Sequence, residues 1–132
     1  MLAPLIAVVD DDNSVRESLD SLIRAAGLNV GVFTSAEEFL SSGDLPKVAC
    51  LVLDVRMPGM SGIELHRHLL SKGYRVPVIL MTAYESDEEA GAQASSFGAV
   101  AYLKKPFDEG ELLGAIRRSL KSDSKRKGQT LY

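Results

Sequence analysis

The sequence predicts one doubly wound α/β domain of the (βα)5 type, built on a five-stranded parallel sheet. Two patterns predict it. Five short apolar runs recur at residues 5–9, 28–33, 48–53, 76–81 and 100–103. Short, largely unalternated aliphatic runs are how strands buried on both faces of a parallel sheet read. The stretches between them carry helical spacing, so strand and helix alternate along the chain. The length of 132 residues fits a single domain. A chain of that size buries about two thirds of its surface, enough for a core without disulfides or structural metal.

Each helix has its own apolar stripe. Val15, Leu19, Leu22, Ile23 and Ala26 recur at i, i+4, i+7, i+8 and i+11. Ala36, Phe39 and Leu40 mark a short second helix. Ile63, His66 and Leu70, with Leu65 and Leu69, mark the third. Ala90, Ala94 and Phe97 mark a weak fourth, and Leu112, Leu113, Ile116 and Leu120 the fifth. Helix starts are written as S-x-x-E capping boxes at Ser35/Glu38, Ser61/Glu64 and Ser86/Glu89, with Asp108/Glu111 as a near variant. Gly27, Gly43, Gly73 and Gly98 stand where four helices should stop. From Lys121 the composition turns polar and basic. The expected organisation is a domain over 1–121 and a polar basic tail or linker start over 122–132.

Composition excludes several classes. Hydrophobic residues make up 45% and charged residues 25%, ordinary for a globular domain. One cysteine, Cys50, rules out an internal disulfide framework and a Cys-rich zinc site, and reads as a small buried apolar residue. The longest apolar run, 48–53, is far too short to span a membrane. The N-terminus lacks a basic stretch and reaches acid at Asp10, unlike a signal peptide, so a cytoplasmic location is expected. Charge is uneven. Residues 1–116 hold nine basic and seventeen acidic residues, whereas 117–132 hold six basic and one acidic. An acidic body argues against a nucleic-acid surface on this domain.

In open parallel sheets ligands gather at the carboxyl ends of the strands. Asp10, Asp11 and Asp12 follow the first apolar run, Asp54 the third, Thr82 the fourth, and Lys104, Lys105 and Pro106 the fifth. An acid cluster, a hydroxyl and a lysine would therefore converge on one edge. Carboxylates are the oxygen ligands Mg²⁺ prefers. A carboxylate can also accept a phosphoryl group, which then needs a metal, a cation and a hydroxyl on its oxygens. Asp54, Lys105 and Thr82 suit those roles. The remaining acids 85, 87, 88 and 89 read as cap and dipole partners, and Asp12 as a helix N-terminal acid. His66 and His68 read as a core-flanking and a solvated residue rather than as ligands.

The segments VVDDD (8–12), LVLDVRMPGMSGIEL (51–65), ILMTA (79–83) and YLKKPF (102–107) resemble the receiver domains of two-component response regulators. The resemblance spans roughly residues 4–121. Around Asp54 it is strongest to nitrogen-fixation-type regulators, which carry a C-terminal helix-turn-helix output. It implies the flavodoxin-like receiver fold with strand order 2-1-3-4-5. It implies that Asp10, Asp11, Asp54 and the backbone carbonyl of Arg56 hold Mg²⁺, for which Mn²⁺ can substitute. Asp54 becomes the phospho-acceptor. Thr82 becomes the hydroxyl that moves toward the phosphoryl group, with the small Ala83 after it. Lys105 becomes the phosphate-binding lysine, followed by Pro106 across a cis peptide, and Tyr102 the switch aromatic. The pairs 10/11 and 11/12 compete for the acid role. The apolar run ending at Val9 favours the first, and Lys105 is preferred to Lys104 because it precedes Pro106.

The function so implied is a phospho-acceptor signalling domain, with self-phosphorylation and slow autodephosphorylation only, rather than an enzyme. A sensor histidine kinase donates the phosphoryl group. The face of fourth helix, fifth strand and fifth helix then switches and supports a phosphorylation-dependent homodimer. Neither a membrane nor direct nucleic-acid contact by this domain is expected. No helix-turn-helix follows residue 121, so the chain reads either as a stand-alone receiver or as one domain of a longer protein, in which control of transcription would run through an output domain not present in this chain. Two other functions compete. An Asp-nucleophile phosphohydrolase usually has a second acid two residues after the nucleophile, where Arg56 stands. A flavin carrier needs a phosphate-cradling loop after the first strand, where three aspartates would repel it.

Overall fold

The structure is a computed structural model, and it describes residues 4–83 and 98–129. Five strands, β1 (Leu5–Val9), β2 (Asn29–Phe33), β3 (Val48–Asp54), β4 (Val78–Thr82) and β5 (Ala101–Lys104), form one sheet in the order β2-β1-β3-β4-β5. Every pairing is parallel. Three helices, α1 (Asn13–Ala25), α2 (Ala36–Ser41) and α3 (Gly62–Ser71), and a C-terminal helix (Glu109–Gln129) pack around it. The helix predicted around 87–97 lies outside the described residues, as does its Ser86 start.

Alternation along each strand divides the core in two. Ala7, Val9, Leu51, Leu53 and Leu80 point to one face, where Phe39 of α2 and Leu65 and Leu69 of α3 cover them. Ile6, Val8, Cys50, Val52, Ile79 and Met81 point to the other, under Leu19 and Ile23 of α1 and Leu112, Ala115 and Ile116 of the C-terminal helix. All seven residues of β3 are buried. Cys50 is buried and unbridged, as a small apolar residue.

β1 and β3 begin where their apolar runs do, whereas β2 and β4 begin slightly later, for reasons visible in the main-chain groups. The N–H of Leu28 donates back to Ile23 O at 3.2 Å, closing α1 over Gly27 at φ +81°, so β2 starts one residue on. Pro77 has no N–H to give, and β4 starts after it. A 3-10 turn over Leu45–Lys47, which the apolar pattern does not signal, leads into β3. α3 has a complete capping box at Ser61 and Glu64. α2 has half of one. Ser35 Oγ accepts the Glu38 N–H at 3.0 Å, but the Glu38 carboxylate reaches past it to the Thr34 N–H and hydroxyl at 3.2 and 2.9 Å. Asp108 accepts the Glu111 N–H at 2.9 Å and opens the C-terminal helix. That helix continues to Gln129, beyond the domain end expected at residue 121. Once a helix is nucleated, polar residues of good propensity extend it at little cost. Among the described residues no helix is long and apolar enough to cross a membrane.

Candidate functional site

The strand order places the ends of β1, β3 and β4 side by side, and Lys105 directly after β5. Asp10 follows β1, and its N–H donates to Phe33 O of β2 at 3.1 Å. Its side chain is fully buried. One carboxylate oxygen, Oδ1, accepts the Asp12 N–H at 2.9 Å; the other, Oδ2, accepts Lys105 Nζ at 2.8 Å. The Asp10 carbonyl accepts the Arg16 guanidinium at 2.7 Å. Asp11 is exposed. Asp12 caps α1, taking the N–H groups of Ser14 and Val15 at 2.8 and 3.3 Å.

Asp54 ends β3 and is 6% exposed. Lys105 Nζ lies 3.4 Å from its Oδ2, and the Arg56 N–H donates to its Oδ1 at 3.4 Å. The carboxylate oxygens of Asp10, Asp11 and Asp54 lie within 4.8 Å of one another. Thr82 ends β4 and is buried, with its carbonyl accepting the Lys105 N–H at 2.7 Å. Ala83 follows and is exposed. Lys104, the last residue of β5, is exposed, so the ammonium in the pocket is that of Lys105. The Lys105–Pro106 peptide is cis. Tyr102 is half-buried against the core face shared with α2 and α3.

The charges are tightly coupled. Burial pushes the Asp54 carboxyl up to about 6; the Asp10 anion adds to this, and Lys105 and the Arg56 N–H oppose it. Burial pulls the Lys105 ammonium down, but its hydrogen bond to Asp10 and the charges of Asp10 and Asp54 outweigh this and raise it. Three carboxylates against one ammonium leave an excess of negative charge, with all donors oxygen. That set fits a hard divalent cation such as Mg²⁺.

The site therefore gathers Asp10, Asp11, Asp54, Thr82 and Lys105 at one edge, with the Arg56 backbone beside Asp54. His66 and His68 are elsewhere, on α3. His66 is buried, and burial lowers its pKa. Two contributors escape the sequence reading. Arg16 braces the Asp10 carbonyl from the first turn of α1, and Glu37 of α2 accepts the Met60 N–H at 3.1 Å, behind the segment that follows Asp54. Neither stands beside the strand-end motifs, which were the only signal.

Comparison with known proteins identifies the family. A family profile described as response regulator receiver domain matches residues 6–117. The response regulator protein TodT of Pseudomonas putida is 45% identical over 119 residues, covering 90% of this chain and 52% of TodT. The transcriptional regulatory protein FixJ of Azorhizobium caulinodans is 44% identical over 115 residues, covering 87% of this chain and 54% of FixJ. The chain thus spans about half the length of these curated relatives. Among solved structures, the response regulator StyR superposes with a TM-score of 0.91 at 42% identity, over 98% of this chain and 65% of that one. With the family profile covering most of its length, the chain belongs to the receiver domains of response regulators, the signalling modules of two-component systems.

Proposed function

We propose that Asp54 accepts a phosphoryl group from a phosphohistidine of a sensor histidine kinase. The observation that carries this reading is the position of the Asp54 carboxylate. It lies 3.4 Å from the Lys105 ammonium and shares a pocket with the Asp10 and Asp11 oxygens. A carboxylate oxygen of Asp54 attacks phosphorus as the P–N bond to the histidine breaks, and the released imidazole nitrogen takes up a proton. Burial pushes the Asp54 carboxyl up to about 6, which leaves its ionised, nucleophilic form accessible at neutral pH.

Asp10, Asp11, Asp54 and the Arg56 carbonyl are the residues that would hold Mg²⁺. The bound ion supplies positive charge to the phosphoryl oxygens and to the acid cluster. Lys105 moves from its two carboxylates to a phosphoryl oxygen, and the Thr82 hydroxyl donates to another. Phosphorylation turns a −1 carboxylate into a group near −2, so the Lys105 contact strengthens only in the modified state. This difference is what lets the modification shift a two-state equilibrium. Tyr102, on β5 with its side chain on the α2/α3 side of the sheet, reads that shift out at the edge that β5 forms. Dimerisation through the face of β5 and the C-terminal helix, control of transcription by a separate output domain and slow hydrolysis of the aspartyl phosphate complete the reading.

Acetyl phosphate with Mg²⁺ should add one phosphate to the wild type and none to Asp54→Asn, read by intact mass. EDTA should abolish the labelling. Equal labelling of the variant would remove Asp54 as acceptor.

A further inference from the structure

We infer that Glu37 is a positioning residue for the segment that follows the acceptor, and that it tunes the affinity of the acid pocket for its divalent cation. The inference rests on the metal-assisted reading above and adds to it a residue on another element, 17 positions upstream of Asp54 in sequence.

Residues 56–60 connect the end of β3 to α3. Both ends of this connection are fixed. The Val55 N–H donates to Met81 O at 2.8 Å, and the Gly62 N–H donates to Val55 O at 3.1 Å. In between, Met57 is buried in the core face shared by α2 and α3, and Met60 packs against that face. Among the described residues, the hydrogen bond that ties 57–60 to another element is the Met60 N–H to Glu37 Oε2, at 3.1 Å. α2 is itself anchored, because Ala36 and Phe39 on either side of Glu37 are buried. The carboxylate therefore acts from a fixed base.

Gly59 completes the contact. Its φ of +76° suits glycine, and a Cβ built there would lie 2.8 Å from Glu37 Oε2. The bare backbone at 59 lets the carboxylate lie against the chain and reach the next N–H. Glu37 and Gly59 are thus a matched pair, acid on α2 and absent side chain on the connection. The Arg56 carbonyl, the backbone ligand expected for the cation, lies three residues before Gly59 on this pinned segment. A connection free to move would present that oxygen over a range of positions, and ordering it would be charged against binding. Glu37 removes part of that cost beforehand.

The test compares wild type, Glu37→Ala and Glu37→Gln. Glutamine keeps an oxygen acceptor for the Met60 N–H but drops the charge. Glu37 is exposed, so all three should fold, which the amide NMR spectrum checks directly. Mg²⁺ titration is followed by the amide shifts of Asp11 and Asp54, and hydrogen exchange by the Met60 amide. Glu37→Ala should speed Met60 exchange and weaken Mg²⁺ by about fivefold, the equivalent of one lost hydrogen bond. Glu37→Gln should stay near wild type on both. Faster Met60 exchange with unchanged Mg²⁺ affinity would overturn the positioning role. Equal weakening in both variants would assign the effect to the lost charge and overturn it too. An absence of Mg²⁺ shifts in the wild type would instead bring down the metal-assisted reading, and this inference with it.

Discussion

Lys105 stands between two carboxylates that differ in what else holds them. Asp10 is fully buried and also accepts a main-chain N–H, whereas Asp54 has a 3.4 Å approach from the ammonium and one long N–H contact. Asp10 is the firmly held anion and Asp54 the loosely held one. Lys105→Ala leaves Asp10 buried without its counter-charge and should destabilise the metal-free protein by about 3 kcal/mol at neutral pH. Lys104→Ala, at an exposed position, should change little; comparable losses in urea melts would place the wrong lysine in the pocket. The pH dependence has a definite sign. The Asp54 carboxyl rises from 3.8 to about 6 on folding, so its protonation stabilises the native state. That contribution is complete below about pH 4 and is lost as pH rises through about 6. Asp54→Asn should therefore be more stable than wild type at pH 7.5, by at most about 3 kcal/mol, and the gap should narrow as pH falls and close below about pH 4. A gap constant with pH would contradict the burial and the Asp10 repulsion. At this scale the strand-end residues were legible in the sequence because chemistry concentrates there. Arg16 and Glu37 were not, because each acts through a main-chain group that every residue type carries equally.

Elements were the most legible level. Strand limits follow the apolar runs to within a residue or two, and the departures come from single main-chain groups, the Leu28 N–H and the missing N–H of Pro77. The capping pattern at Ser35 located the start of α2 correctly, yet the side chain of Glu38 chose the hydroxyl and N–H of Thr34. A pattern of spacing cannot rank two acceptor-hungry groups one residue apart. The C-terminal helix outran its apolar stripe because helix extension does not require one. The junction at Ser61-Gly62 offers a graded test. Ser61→Ala removes the cap of α3 and should cost about 1 kcal/mol. Gly62→Ala drives a Cβ into the Asp54 carbonyl, which is main chain and cannot swing aside. It should cost about 3 kcal/mol and slow acetyl phosphate labelling as well. Thermal unfolding with the opposite ranking would mean that α3 does not press on the end of β3.

Across the whole molecule, the order β2-β1-β3-β4-β5 brings Asp10, Asp54, Thr82 and Lys105 together from positions up to 95 residues apart. Mg²⁺ bound to this assembled edge and not to the unfolded chain should stabilise the protein by roughly 2.7 kcal/mol at a hundred times its dissociation constant. Asp11→Asn should lose most of that gain, and an undiminished gain would locate the cation elsewhere. The buried middle of the sheet also bears on the chemical ageing of the chain. An aspartyl phosphate is an activated acyl group, and the amide nitrogen of the next residue is its nearest nucleophile along the backbone. Closing that five-membered ring would require Asp54 to leave its strand geometry and the Val55 N–H to give up its partner. Here the Val55 N–H is committed to Met81 O at 2.8 Å, and β3 is gripped by both halves of the core. With Asp54 as the proposed acceptor, β3 would keep the activated carboxyl from cyclising onto its own chain, and many cycles of phosphorylation should leave no isoaspartate at position 54.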